Sequence, residues 1–254
     1  MNVFHEIRAG RLPVPETPCL VIDEPLAREN IARVQQGVNA AGCQLRPHIK
    51  THKMPYFARL QLEDGAAGIT CAKVSEAEVM ADGGAEDIFL AYPMVGDFRI
   101  KRALALSRRV RRLILAVDSL AGAKALSDAA EAAGLPLEVR LEVDTGAQRT
   151  GVLRDHAVDL AKAVAALPNL RLTGIYTFKS LVLHGAPTQD NDAAGKEEAQ
   201  LMYDTAQAIR AAGVKTICLD EAHHLRSEWW RALEEFLKGL SGMTVISLTA
   251  TPPY

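Results

Sequence analysis

Apolar extended segments alternate with amphipathic helical segments along most of this sequence, and this alternation constrains the fold more than any other feature. Apolar runs predict eight strands, at residues 44–50, 68–73, 87–93, 113–118, 137–144, 170–178, 216–220 and 243–249. The intervening segments carry apolar residues at helical spacing. Strands that alternate with helices favour a parallel sheet covered by helices. The sequence therefore predicts an α/β protein with a (β/α)8 TIM-type barrel, whose count of strand and helix units is eight.

The predicted helices cover residues 26–38, 54–62, 97–109, 120–133, 157–167, 193–212 and 227–240. A further helix is predicted after the second strand, where Ser75 precedes Glu78 by three residues. This spacing is typical of a capping box, so Ser75 is expected to be the N-cap. The pair Gly83-Gly84 is expected to end that helix, because glycine is favoured just after a helix C-terminus.

Size and composition are those of a globular protein and allow either one α/β barrel or one large plus one small unit. A chain of 254 residues that is 48% hydrophobic can bury a full core. Its 29 Lys and Arg residues against 31 Asp and Glu residues give no overall positive field, so a nucleic-acid partner is not expected. Four scattered cysteines without zinc-ligand spacing, and the lack of a long apolar run or a signal-peptide pattern, lead us to expect reduced thiols in a cytoplasmic protein without a membrane anchor.

The chemistry is expected at a cationic motif that ends the first predicted strand, Arg46-Pro47-His48-Ile49-Lys50-Thr51-His52-Lys53. Such a cluster favours an anionic ligand. A desolvated amine close to other cations can be partly neutral at pH 7 and can form a Schiff base. Two alternatives stay open, a solvated basic surface and a pair of histidine metal ligands four residues apart on a helix. Pro47 opposes the helix and favours a strand.

Four further motifs occur in a fixed order around this one. They are Thr17-Pro18-Cys19-Leu20-Val21-Ile22-Asp23, Ala81-Asp82-Gly83-Gly84 with Asp87-Ile88-Phe89-Leu90-Ala91-Tyr92-Pro93, Val143-Asp144-Thr145-Gly146, and Arg149-Thr150-Gly151-Val152. Together with the cationic motif, this series resembles the D-threonine aldolase and D-serine dehydratase family, from about Thr17 to about Val214. Members of that family are pyridoxal 5'-phosphate (PLP) enzymes with a barrel of the alanine-racemase N-terminal type.

The resemblance implies roles for three residues. The first lysine of the cationic motif, Lys50, would carry the cofactor and act as the catalytic acid or base. Arg149 matches an arginine near the cofactor ring, and Tyr176 matches a tyrosine of the same pocket. His48 and His52 are each candidates for a supporting or proton-handling role or for simple packing, and His48 is also a candidate for cofactor binding.

Three other polar residues at strand ends are expected to have structural roles and no part in the reaction. Lys73 and Asp118 are read as ordinary polar residues that terminate strands of an α/β protein. Asp144 is expected to fix the loop that follows it by accepting backbone hydrogen bonds, because an ionised carboxylate is an acceptor for N–H groups.

The sequence departs from this family pattern after Val214. Where the family would have a Gly-Ser-Thr turn that binds the cofactor phosphate, this chain has Thr216-Ile217-Cys218-Leu219-Asp220-Glu221-Ala222-His223-His224. Two carboxylates would then stand where a dianion should bind, which is electrostatically unfavourable. The resemblance also implies a β-rich C-terminal domain with a divalent-metal site, and that site is expected to be absent here. A strand is expected at residues 19–23, which would normally join that domain and would here lack its partner strands.

The divergent segment has a resemblance of its own. Residues 217–223 resemble the DEAH box of a superfamily II helicase, and Ser247-Leu248-Thr249-Ala250-Thr251-Pro252-Pro253 resembles its downstream motif. In that family Asp220 would hold Mg²⁺ and Glu221 would orient the attacking water. A P-loop is absent, since Glu197 follows the one Gly-Lys pair, Gly195-Lys196.

The sequence thus predicts a hybrid chain. Residues 1–214 would form an incomplete PLP-binding barrel domain, and residues 215–254 a helicase-like fragment that completes the barrel or is appended to it. The expected function is that of a PLP-dependent lyase acting on small D-amino acids, with activity impaired by the missing phosphate turn and metal domain. The alternatives are a non-catalytic PLP-binding protein and a helicase fragment without a P-loop. The resemblance implies a homodimer.

Overall fold

The structure, a computed structural model, describes residues 3–13, 16, 18–215, 218–220 and 244–247, the last two ranges by their backbone. The helices are α1 (Val3–Arg8), α2 (Glu24–Ala40), α3 (Pro55–Glu63), α4 (Val74–Asp82), α5 (Asp97–Ser107), α6 (Leu120–Ala133), α7 (Arg154–Ala165) and α8 (Asn191–Ala211). The strands are β1 (Gln44–Leu45), β2 (Ile69–Cys71), β3 (Asp87–Pro93), β4 (Arg112–Val117), β5 (Leu137–Asp144), β6 (Val152–Leu153), β7 (Leu170–Tyr176), β8 (Val182–Leu183), β9 (Ala186–Pro187), β10 (Cys218–Asp220) and β11 (Thr244–Ser247).

Eight of these strands form one closed parallel sheet. Its order is β1-β11-β10-β7-β5-β4-β3-β2, with β6 paired to β5 outside this path. The chain that leaves β1 joins β2 through a bridge between His48 and Thr70, where the Thr70 N–H donates to Pro47 O at 2.8 Å. Each of the eight strands therefore has a neighbour on both sides, and the predicted (β/α)8 barrel is confirmed.

The strands of the C-terminal segment complete this barrel. β10 pairs with β7, β11 pairs with β10, and β11 also pairs with β1. In register, Asp220 lies opposite Tyr176 on one side and Ile246 on the other. The predicted helix at 227–240 lies outside the described residues.

The two faces of the sheet differ in character. Alternate residues of β3, β4 and β5 face the surrounding helices and form the main apolar core, which includes Ile88, Leu115 and Val139. The opposite face points into the barrel, where a small apolar cluster comprises Phe89, Ala91, Ile114, Ala116 and Tyr176. Successive side chains of a strand point to opposite faces, so both faces of a closed barrel can be buried.

Charged residues fill much of the rest of the barrel interior. Arg46, with no exposed side-chain surface, forms an ion pair with Asp87 at 2.8 Å. Glu138 accepts two hydrogen bonds from Arg112, at 2.6 and 2.9 Å, and one from Thr173 at 2.8 Å. Buried charges are tolerated where they are paired and hydrogen-bonded, as Glu138 is. Arg46 is paired with Asp87, but among the described residues its Nε and Nη2 atoms have no hydrogen-bond partner.

Two local predictions need correction. The strand predicted at 44–50 is limited to Gln44–Leu45, because Ile49 to Lys53 forms a turn in which the Lys53 N–H donates to Ile49 O at 2.8 Å. Lys53, at the end of this turn, has a φ of 53°. The chain 19–23 is also not a strand, and Leu20 is 97% exposed.

The capping box at Ser75 is wrong as well. The helix α4 begins at Val74 with Lys73 as its N-cap and without a side-chain cap hydrogen bond, so Ser75 lies inside the first turn. The carboxylate of Glu76 accepts the N–H of Ala72 at 3.0 Å. The strand β2 ends so close to the helix that the chain enters it before Ser75.

None of the helices in the described part of the chain combines the length and apolar character needed to cross a lipid bilayer.

Candidate active site

A cavity of about 630 Å³ opens at the carboxyl ends of the barrel strands. The described residues that line it come from the ends of β1, β2, β3 and β7, from the loop after β5, from the first turn of α4 and from the first two turns of α5. They are His48, Lys50, Ala72, Lys73, Val74, Ser75, Ala91, Tyr92, Met94, Phe98, Arg99, Arg102, Arg149, Tyr176 and Phe178. This volume and this position are typical of small-molecule sites in such barrels.

Lys50 enters the cavity from the turn that follows β1. Its backbone N–H donates to Nδ1 of His48 at 3.2 Å, so the buried imidazole orients the turn that carries the lysine. The side chain of Lys50 is half-buried, and its Nζ lies 5.1 Å from the centre of the Phe178 ring. A cation at this distance from an aromatic face is held by the ring quadrupole.

Arg149 approaches the same ring from the loop after β5. Its guanidinium carbon lies 4.2 Å from the ring centre of Phe178 and 6.0 Å from that of Tyr92. Asp144 shapes this loop, since its Oδ1 accepts the N–H of Gly146 at 2.8 Å and of Gln148 at 3.2 Å. The predicted loop-fixing role of Asp144 is confirmed, and the ring of Phe178 brings Lys50 and Arg149 together.

Tyr176 lies deeper, where the cavity meets the barrel interior. Its side chain is 1% exposed, and its hydroxyl donates to Oε2 of Glu142 at 2.7 Å. The other oxygen, Oε1, accepts from Thr150 Oγ1 at 2.6 Å and lies 3.8 Å from Nη2 of Arg149. Burial raises the pKa of Glu142 and the charge of Asp118 adds to the rise, against opposing hydrogen bonds from Thr150 and Tyr176 and the charge of Arg149.

The four residues predicted to bind the cofactor, Lys50, Arg149, Tyr176 and His48, therefore line one cavity. His52 does not join them in lining it. Its Nδ1 accepts the N–H of Met54 at 3.0 Å, and its ring borders a separate cavity of about 330 Å³ beside α2 and α3. Burial lowers the pKa of His52. Lys73, interpreted from sequence as an ordinary strand end, lines the main cavity.

The described residues of the helicase alternative lie in β10 and α8. The backbone of Asp220 ends β10 beside Tyr176, and Glu221 lies outside the described residues. Gly195 and Lys196 lie within the long helix α8, where Gly195 is buried and its backbone is helical. Among the residues that the structure describes, no group of three or more His, Cys, Asp or Glu side chains is placed to hold a metal ion.

The donor set of the main cavity suits PLP, an anionic aromatic aldehyde. Five cationic side chains border it, Lys50, Lys73, Arg99, Arg102 and Arg149, and the described lining residues include no carboxylate. Four aromatic rings, Tyr92, Phe98, Tyr176 and Phe178, supply faces for a planar ring. Such a set offers an amine for an aldehyde and cations for a phosphate group.

Two residues of this site were missed from the sequence. Phe178 ends an apolar strand and gives no signal of its own. Glu142 does leave a signal, because Glu138, Arg140 and Glu142 occupy alternate positions of an otherwise apolar strand. Buried parallel strands are usually near-continuous apolar runs, so three charges on one face indicate a polar barrel interior.

Comparison with known proteins places the chain among relatives of this architecture. Residues 22–219 match the family described as alanine racemase, N-terminal domain, so the match continues to Leu219 in β10, beyond the limit at about Val214 that the motifs suggested. D-threo-3-hydroxyaspartate dehydratase of Delftia sp. strain HT23 is 36% identical over 201 residues, which cover 78% of this chain and 53% of that protein. D-threonine aldolase of Arthrobacter sp. is 32% identical over 200 residues, 78% of this chain and 52% of that protein.

A solved structure agrees with the sequence comparison. The crystal structure of D-threonine aldolase from Filomicrobium marinum superposes with a TM-score of 0.78 at 27% identity, covering 92% of this chain and 62% of that one. The chain spans about half the length of the curated relatives it matches.

Proposed function

This chain belongs to the alanine racemase N-terminal domain family, and from that membership we propose that it is a PLP-dependent lyase domain that acts on D-amino acids. The observation that carries the proposal is the half-buried Lys50 amine in a cavity bordered by cations and aromatic rings. The names of the relatives, D-threonine aldolase and D-threo-3-hydroxyaspartate dehydratase, support D-amino acids with a β-hydroxyl group as the substrate class.

Four residues of the cavity have a proposed task. Lys50 would hold the cofactor through its amine and, when free, would move a proton at the α-carbon of the substrate. Arg149 would orient the cofactor ring, and Tyr176 would form part of the wall of the cofactor pocket. His48 would keep the turn that carries Lys50 in place. Bound PLP supplies the electron sink for chemistry at the α-carbon, and the protein supplies position and proton transfer.

The position of Asp220 bears on how tightly this site would bind PLP. Asp220 lies in register with Tyr176, at the end of the barrel where the cofactor would bind. A carboxylate at this level would oppose the phosphate dianion. We expect weaker PLP binding and lower lyase activity than a family member with a small-residue turn at this point would have.

We do not propose helicase or ATPase activity. A P-loop needs a glycine-rich loop whose N–H groups surround the phosphates. The Gly195-Lys196 pair lies in the regular helix α8, so its N–H groups are occupied within the helix. The helicase-like motifs do not have a described phosphate site beside them.

A homodimer in the cytoplasm completes the proposal. The dimer rests on the resemblance to the D-threonine aldolase and D-serine dehydratase family. The described cysteines Cys19, Cys43 and Cys71 are free thiols, which suits a reducing compartment. Sedimentation equilibrium of the purified protein tests the dimer.

The proposed function is tested by the visible absorbance of the protein titrated with PLP. We expect a new band in the wild-type protein and its loss in Lys50→Ala. Lys53→Ala is the matched control, because Lys53 belongs to the same motif but is 59% exposed and paired with Glu76 at 3.5 Å. A band that persists in Lys50→Ala, or that never forms in the folded wild-type protein, contradicts the proposal.

Turnover of D-threonine and of D-3-hydroxyaspartate then distinguishes a lyase from a non-catalytic PLP carrier. Release of an aldehyde indicates aldol cleavage, and release of ammonia indicates elimination. A protein that binds PLP through Lys50 but leaves both amino acids intact is a carrier.

A further inference from the structure

Glu142 lies behind the wall of the main cavity, and its contacts connect two cavity residues. The side chain is 2% exposed. Its two carboxylate oxygens divide their contacts, since Oε2 accepts from the Tyr176 hydroxyl while Oε1 accepts from Thr150 and faces the Arg149 guanidinium. A buried carboxylate is retained where it is well paired. These contacts link the end of β7 to the loop after β5.

The contacts also determine what the cavity presents to a ligand. The Tyr176 hydroxyl donates its proton to Glu142, so toward any other partner this oxygen can only accept a hydrogen bond. The attraction of Glu142 holds the guanidinium of Arg149 near the Phe178 ring rather than in solvent, although Arg149 is 43% exposed. Pre-oriented groups bind a ligand more tightly because less order must be imposed on binding.

We propose that Glu142 is a positioning residue for the cofactor site, which holds Tyr176 and Arg149 in the orientation that binds PLP. The ligand named here rests on the proposed function. Glu142 itself does not line the cavity among its described residues, so it acts through its two neighbours.

A comparison within the same strand separates this role from ordinary packing. Glu138 lies on the same face of β5 and is 5% exposed, but its partners are Arg112, Arg171 and Thr173. None of these three appears among the described residues of the cavity wall. Replacement of Glu138 therefore removes a buried, paired carboxylate without changing a cavity residue.

The state of Glu142 is set by all the groups that face it. Tyr176 approaches from β7, Thr150 and Arg149 from the loop after β5, and Asp118 acts from the end of β4. When Glu142 is protonated, its attraction for Arg149 is lost. PLP affinity is therefore expected to fall with decreasing pH through this titration, and the Glu142→Gln variant is expected to lack this part of the profile.

The experiment measures the PLP dissociation constant of the wild-type protein, Glu142→Gln and Glu138→Gln by absorbance titration across pH, with thermal unfolding as a check of folding. We expect Glu142→Gln to weaken PLP binding about tenfold, the effect of losing one charge-assisted interaction. Glu138→Gln is expected to stay within about twofold of wild type, since its partners lie away from the cavity.

A second variant keeps the test decisive if Glu142→Gln does not fold. Thr150→Val removes one hydrogen bond that favours the ionised carboxylate, at nearly unchanged volume. The pH at which PLP affinity falls is then expected to move upward. An unmoved profile overturns the proposal, as does a folded Glu142→Gln with wild-type affinity and pH profile. If the wild-type protein does not bind PLP, the proposed function fails, and this inference fails with it.

Discussion

Glu138 and Glu142 lie four residues apart on the same face of β5, and their surroundings shift their pKa values in opposite directions. Burial favours the neutral form of both. At Glu138 this is outweighed by hydrogen bonds from Arg112 and Thr173 and by the charges of Arg112 and Arg171, so its pKa is lowered. At Glu142 burial is not fully offset, and its pKa is raised. Glu138 is thus favoured as a carboxylate within an ion-pair network of the barrel. Glu142 is favoured in its neutral form, and it contacts two residues of the cavity, Tyr176 and Arg149.

The lowered pKa of Glu138 predicts a loss of stability in acid. Its contribution is present above the pKa of the unfolded chain and is lost as pH falls through the folded-state value. We expect Glu138→Gln to lower the free energy of unfolding by about 3 kcal/mol at pH 7, as in a broken buried ion pair. A urea series from pH 7 down to the lowest pH at which both proteins stay folded measures this, and a cost that does not fall along the series would contradict it.

The raised pKa of Glu142 predicts the opposite trend. A carboxyl whose folded-state pKa is raised contributes stability below the unfolded-state pKa, and that contribution is lost as pH rises through the folded-state value. The stability of wild type relative to Glu142→Gln should therefore decrease from acid to neutral pH. Parallel urea series on the two proteins check the sign. A difference that grows with pH would show that Glu142 is more stable as the carboxylate in the folded protein.

Removal of Arg46 is predicted to be strongly destabilising. Its side chain has no exposed surface and lies 2.8 Å from Asp87, which the change would leave without this partner. We expect Arg46→Met to cost about 3 kcal/mol, at the lower end for a broken buried pair, because Arg112 also lies 3.4 Å from Asp87. Arg111→Met is the control. Arg111 pairs with the same carboxylate but is 63% exposed, so a change within about 0.5 kcal/mol is expected by urea unfolding.

Gly68 is predicted to tolerate no side chain. A Cβ at this position would lie 2.2 Å from Nη1 of Arg46 and 2.6 Å from the carbonyl oxygen of Asp87. Because the second neighbour is backbone, we expect Gly68→Ala to destabilise the protein by about 2 kcal/mol, the usual effect of overpacking. Gly122→Ala, in the first turn of α6, is the comparison, since its nearest contact would be Ser119 Oγ at 3.2 Å. Equal thermal stability of the two variants would be the contrary result.

Replacement of Phe178 is predicted to act on ligand binding more than on folding. Its half-buried ring contacts both Lys50 and Arg149, and leucine keeps apolar volume without an aromatic face. Loss of these cation–π contacts should weaken PLP binding about threefold. Tyr92→Leu should have a smaller effect, because its ring lies 6.0 Å from Arg149. Fluorescence titration with PLP ranks the two variants, and the reverse order would contradict the contacts seen here.

Much of the fold was predictable because both faces of these strands are buried and the helices are amphipathic. The limits of β3, β5 and α6 agree with the sequence prediction. Local errors arose where two elements meet. The turn of the cationic motif shortens β1, and α4 begins before Ser75 because β2 leads directly into it. Propensities describe single elements, so they do not report how closely two elements are joined.

The cavity was predictable in part. Lys50, His48, Arg149 and Tyr176 stand at strand ends, and the carboxyl ends of parallel strands meet at one face of a barrel. Residues that act through side-chain contacts were not predictable in this way. Phe178 contacts two cations that precede it by 128 and 29 positions, and sequence spacing carries no information about such a meeting.

The sequence by itself determined that this chain forms a parallel α/β barrel with cationic and aromatic residues at its carboxyl end, because the periodicity of each segment and the alternation of strands and helices along the chain can be read locally. The tertiary structure decided which of those residues point inward together. In β7 the pairing with β5 shifts register between Val139 and Arg140, so that Thr173 contacts Glu138 while Tyr176, three residues later, contacts Glu142. Strict alternation would place Thr173 and Tyr176 on opposite faces. Such an irregularity depends on long-range pairing between strands, and only the folded chain contains that pairing.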